Sequence, residues 1–175
     1  DQRDVYELEV SDSDSGFRHK VQITDKSYLV ILVQEINKYC EVYPDFPFIV
    51  IPFLKLLHEA GLPCCKPSIS SSIPVTLYFV YLILFVYIDI SLANKNTSVD
   101  LPSFFTKVIR HLSSLPLKGL VVSFNEKSTS PPLSYGYIQQ EETTIEFHSE
   151  SGNKITMKHL LECNEINTLF FHLYH

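Results

Sequence analysis

Ile73-Pro74-Val75-Thr76-Leu77-Tyr78-Phe79-Val80-Tyr81-Leu82-Ile83-Leu84-Phe85-Val86-Tyr87-Ile88 is the stretch on which the fold turns. It closes a longer segment, Pro67 to Ile88, that contains no charged residue. Two structures suit such a run. A helix of about 20 apolar residues spans a bilayer. A continuous apolar run also forms a strand, or two strands in succession, buried on both faces. Residue type favours the strand, because Val75, Thr76, Tyr78, Phe79, Val80, Tyr81, Ile83, Phe85, Val86, Tyr87 and Ile88 are β-branched or aromatic. A membrane helix would carry Tyr78 and Tyr81 into hydrocarbon, whereas Tyr prefers the interface. Counted from Ile73, the apolar core is also short for a span. The expectation is therefore a buried strand, with a transmembrane helix as the alternative.

On the N-terminal side, two period-2 runs flank a polar turn. Tyr6, Leu8 and Val10 alternate with Glu7 and Glu9, and Phe17, Val21 and Ile23 alternate with Arg18, Lys20 and Gln22. Ser11 to Gly16 joins them, which reads as a hairpin. Leu29, Val33, Ile36, Cys40 and Tyr43 then recur at helical spacing, predicting an amphipathic helix over roughly 26–42 that Thr24 or Asp25 can cap. Pro44 and Pro47 stop it. A second helix is expected from Pro52 to Ala60. Pro52 suits a first helical position, Gly61 suits the left-handed cap, and Pro63 blocks continuation. Pro63 to Ser72 reads as a loop.

On the C-terminal side, Ser91 to Asp100 is polar and reads as a loop. Phe104, Phe105, Val108, Ile109 and Leu112 stripe a helix over 101–115. Pro116 ends it, and Arg110 and His111 complement the negative end of its dipole. Gly119 to Phe124 is a short buried strand, and Leu133 to Gln139 a strand paired with it. Thr143 to His148 alternates and, with Ile155 to Lys158, forms a second hairpin. Ile166 to Tyr174 is a terminal strand or short helix. The sum is an α+β fold: a mostly antiparallel sheet with about three helices packed on one face, in a single domain over 1–175 or a piece of a larger protein.

Composition sets the function classes. The chain has 175 residues, 45% hydrophobic, 13% aromatic and 19% charged, with net charge −6. That hydrophobic content excludes disorder for most of the chain. The densest basic cluster is Arg18, His19 and Lys20, so no direct nucleic-acid partner is expected. Cys40, Cys64, Cys65 and Cys163 lack the paired spacing of a zinc site, and reduced thiols in an intracellular protein, cytoplasmic or nuclear, are expected. The sequon Asn96-Thr97-Ser98 matters only for a secreted chain.

Chemistry-bearing motifs are weak. Asp12-Ser13-Asp14-Ser15-Gly16 places Gly one position early for an EF-hand loop and lacks the closing Glu. His58-Glu59 lacks the second His of a metalloprotease helix. No Ser lies in a nucleophile elbow. Cys64-Cys65 follows a helix C-terminus, where the dipole raises a thiol pKa. No catalytic residue, metal site or cofactor is assigned.

The order helix, strand, loop, strand over 101–139 is similar to that of many interaction domains, HORMA domains among them. Tyr43-Pro44 after an amphipathic helix is similar to several adaptor folds. Neither likeness rests on a specific motif, so neither assigns a family or a function.

Apolar excess without a site points to a partner. The expected function is a non-catalytic protein–protein interaction domain, a subunit or scaffold of a larger intracellular assembly. Two aromatic patches are the candidate contacts: Phe46, Phe48 and Phe53 around the prolines, and Phe170, Phe171 and Tyr174 near the end. One alternative is a single-pass membrane protein anchored by residues 73–88. The other is an enzyme, or a fragment of one, with a dispersed site; a concave cluster joining His58, His111 or Cys163 to a carboxylate would favour it.

Overall fold

A computed structural model of the chain describes residues 5–11, 13–14, 18–24, 27–59, 75–94, 100–125, 133–150, 152 and 154–159. The fold is α+β, with four helices and a four-stranded mixed sheet among these residues. The chain divides into two compact units, 1–42 and 43–175.

The first unit is the expected hairpin and helix. Strand β1 (Val5–Ser11) pairs antiparallel with β2 (Arg18–Thr24), with Leu8 opposite Val21. Helix α1 (Ser27–Val42) follows. Its buried positions are Leu29, Leu32 and Glu35, whereas Val33, expected on the apolar stripe, is half-exposed. The run Tyr28-Leu29-Val30-Ile31-Leu32-Val33 is apolar at every position, so its periodicity does not single out one face. Glu35 is buried but accepts a hydrogen bond from Lys38 Nζ at 2.6 Å, one turn on.

The second unit opens with a Pro44-Asp45 turn and helix α2 (Phe46–Glu59). This helix begins six residues before the expected start at Pro52. Pro47 lies in its first turn, where a missing N–H costs nothing, so it does not block the helix. Pro52 lies inside α2, on its solvent side, where the orphaned carbonyl one turn back can meet water. Phe46, Ile49, Val50, Phe53 and Leu57 form the buried face.

Within the charge-free run, Val75 to Ile88 belongs to helix α3 (Val75–Ala93), not to a strand. Every residue from Tyr81 to Ile88 is buried. Helices α2 and α4 (Leu101–Ser114) pack against α3, and the sheet closes over another side. A helix covered on several sides needs apolar residues all round, which erases the amphipathic period. β-Propensity is a weak preference that tertiary burial overrides. Ser91 to Ala93, expected in a loop, complete the last turn of α3. Asn94 then closes the helix, its Nδ2 donating to the Ile90 carbonyl at 2.7 Å. Aromatic rings bind the helices together: Tyr87 meets Tyr43, Phe46 and Phe104 at centroid distances of 5.6, 5.4 and 4.9 Å.

The sheet comprises β3 (Leu120–Asn125), β4 (Leu133–Tyr137), β5 (Thr143–His148) and β6 (Lys154–His159), in the order β4-β3-β5-β6. The β3–β4 and β5–β6 ladders are antiparallel, as expected, and β3–β5 is parallel. Leu120, Val122 and Phe124 share one face with Ile145, Phe147 and Met157, and all six are buried. Tyr81 and Phe85 of α3 reach this face, with rings 5.3 Å from Phe124 and 5.2 Å from Tyr135. Helix α3 therefore packs on this face of the sheet. The opposite face carries Ser123, Thr144, Glu146 and Lys158. Ile166 to Tyr174 and the expected loop at 63–72 lie outside the described residues.

Candidate interaction surface

Helix α2 is two-faced. Phe46 and Phe53 are fully buried, and Phe53 stacks on Phe105 of α4 at 4.7 Å. Burial assigns both to the core and removes them from any contact surface. Phe48 is 64% exposed, and Ile51, one turn further, is 63% exposed. Pro52 and Lys55 are exposed beside them. The expected Phe46, Phe48 and Phe53 patch thus separates into two core anchors and one surface ring. Ile51 joins Phe48 on the surface. A helix beginning at Pro52 would leave both residues outside it, whereas in α2 they lie one turn apart on the same face. Phe170, Phe171 and Tyr174 lie outside the described residues.

Two clusters of titratable groups accompany this surface. On the open face of the sheet, Glu146 receives Lys154 Nζ at 2.9 Å, Ser123 Oγ at 3.3 Å and His148 Nε2 at 3.4 Å. Burial pushes the Glu146 carboxyl up. Its hydrogen bonds from Lys154 and His148, the Lys154 charge and the Ser123 hydroxyl outweigh that and hold it below the usual value. Ser123 and His148 both address the same carboxylate oxygen. That arrangement ties β3, β5 and β6 together and gives no serine–imidazole pair for nucleophilic attack.

The other cluster lies between the end of α3 and α4. Asp89, Asn94, Lys107, Arg110, His111 and Ser114 line an open depression of about 410 Å³. His111 Nε2 is 3.7 Å from Asp89 Oδ2, and each side chain is about one third exposed. This is a histidine beside a carboxylate in a concave place, the feature named above for an enzymatic reading. The Ser114 hydroxyl, however, donates back to the Arg110 and His111 carbonyls within its own helix. The His111–Asp89 contact joins α4 to the end of α3.

His58 is exposed on α2, and Cys40 is a free thiol whose pKa burial raises. Cys64, Cys65, Cys163, His172 and His175 lie outside the described residues. Among the described residues, no three His, Cys, Asp or Glu side chains are grouped as metal ligands. Compared with known proteins, the chain matches no family model, no curated protein and no solved structure.

Proposed function

We propose that the chain is a non-catalytic protein–protein interaction domain, a subunit or scaffold of a larger intracellular assembly, and that the outer face of α2 is its contact surface. The supporting observation is the pair Phe48 and Ile51. Two large apolar side chains one turn apart stand in solvent on a helix whose other face is fully committed to the core. Apolar anchors of this kind, rimmed by a charge such as Lys55, are what an interface core uses. Replacing both with Asp tests this. Partner capture falls by roughly tenfold or more, with the thermal midpoint nearly unchanged, since both positions are exposed. Undiminished capture by the folded variant would overturn the assignment.

A second reading, a membrane-anchored chain, is favoured by one feature. Thr76–Ala93 has a mean hydropathy of 2.0 and the length to cross a bilayer. Against it, 61% of that segment is buried within the protein itself, which is how the core helix of a water-soluble fold behaves. Fractionation of the expressed chain without detergent separates the two. A soluble, monodisperse species with mixed α and β circular dichroism supports the interaction domain. Recovery only in membranes supports the anchor.

A further inference from the structure

We infer that Ser11 is a phosphorylation site, and that the phosphate it gains pairs across the hairpin with Arg18. The argument begins with strand register. Glu9 stands opposite Lys20, and Ser11, the last residue of β1, stands opposite Arg18. Residues two apart on a strand share a face, so these are successive cross-strand pairs along one face of the hairpin. The first pair matches a carboxylate with an ammonium. The second matches a neutral hydroxyl with a guanidinium. A phosphate on Ser11 supplies the missing anion. Directly opposite residues have Cβ atoms about 5 Å apart, within reach of an arginine fork.

Position singles out Ser11 among the three serines of Ser11-Asp12-Ser13-Asp14-Ser15-Gly16. A kinase that selects acidic substrates does so with basic groups facing the residues just after the acceptor. Counting on from Ser11, Asp12 is the first residue and Asp14 the third. From Ser13 the third residue is Gly16, and from Ser15 it is Arg18, of the wrong sign. Ser11 is exposed, as are Ser13 and Asp14 in the turn beyond it. Strands β1 and β2 form a two-stranded sheet, which is marginally stable by itself, so drawing its tip into a kinase groove costs little.

The step transfers the γ-phosphoryl group of ATP. A bond forms between Ser11 Oγ and phosphorus, and the bond from phosphorus to the β-phosphate oxygen breaks. ADP leaves, and the hydroxyl proton passes to the base of the kinase. The product carries three acceptor oxygens and a charge of about −1.5 to −2. Asp12 and Asp14 repel that charge and Arg18 attracts it, so Arg18 decides whether the modified hairpin tightens or loosens.

Incubating the full chain with an acid-directed serine kinase, magnesium and ATP tests the inference. Intact-mass and fragment-ion spectrometry find one phosphate, on Ser11, and Ser11→Ala removes it. Phosphorus NMR titration follows the second pKa of the phosphate, ordinarily about 6, which lies higher in Arg18→Gln than in the parent chain. Amide exchange of β1 and β2 slows by roughly two- to fivefold on phosphorylation, and Arg18→Gln removes the slowing. If circular dichroism shows that Arg18→Gln does not fold, Arg18→Thr, a residue suited to strands, carries the comparison. An unphosphorylated chain, a phosphate on Ser13 or Ser15 in place of Ser11, or a titration and exchange rate indifferent to Arg18 would each overturn the inference.

Discussion

Around Gly119 the chain winds closely on itself. Its N–H donates to the Glu142 carbonyl at 3.2 Å, and its own carbonyl accepts from Ile138, so the β4–β5 connection is fastened to it from both sides. The backbone there has φ of +74°, a region that favours glycine. A Cβ would also stand 2.3 Å from the Ile138 carbonyl oxygen. Gly119→Ala therefore combines backbone strain with a backbone clash. It should cost on the order of 2–3 kcal/mol, and chemical or thermal unfolding monitored by circular dichroism should show it. Neighbouring contacts explain why the connection is so defined: Thr143 Oγ1 donates to the Leu117 carbonyl at 2.6 Å, and Gln140 Nε2 to Thr144 Oγ1 at 2.8 Å. Glycine at 119 was legible in the sequence as a strand start. The parallel β3–β5 pairing it permits was not, because the pairing depends on where a five-residue connection passes.

Among the elements, α3 carries the unit's core. Leu84 is fully buried in it. Leu84→Ala should destabilise the fold by about 2–5 kcal/mol, the range for a buried leucine truncation, read as a fall in the denaturation midpoint. Leu84→Asp should abolish the native state and drive the chain into aggregates, since a lone carboxylate there has no counter-ion. In a bilayer-anchored chain the same change would instead release the protein from membranes, so the two outcomes distinguish a core helix from a span. The surrounding helices show how much local pattern can decide. Helix α4 has polar and apolar faces in clear register, and its limits, Leu101–Ser114, lie within a residue of the range read from sequence. Helix α3 has no polar face, and its β-branched residues mislead because nothing in the run reports what lies on each side.

For the whole molecule, the α+β class follows from local signals. Two helices and two hairpins stand at their expected places, a third helix starts earlier than expected, and two of the three ladders of the larger sheet are antiparallel. The candidate surface was only partly legible. Aromatics clustered around Pro44 and Pro47 marked α2 as a place of interest, but clustering in sequence does not distinguish core from surface. Helical phase does, and it turned Phe46 and Phe53 inward and Phe48 outward. The rank of β4 at the end of the sheet among the described residues left no trace in composition, because order in a sheet is set by pairing between distant segments.

Sequence by itself determined the amphipathic elements, the turns between them and the lack of any recognised catalytic motif, since each of these depends on residues near one another in the chain. Tertiary structure alone decided the rest: that Tyr78 to Ile88 coil into a buried helix, that β3 and β5 run parallel, and which aromatic rings meet solvent. Those outcomes depend on what packs against each residue from distant parts of the chain. Burial on several sides removes the periodic contrast between polar and apolar positions that sequence reading relies on.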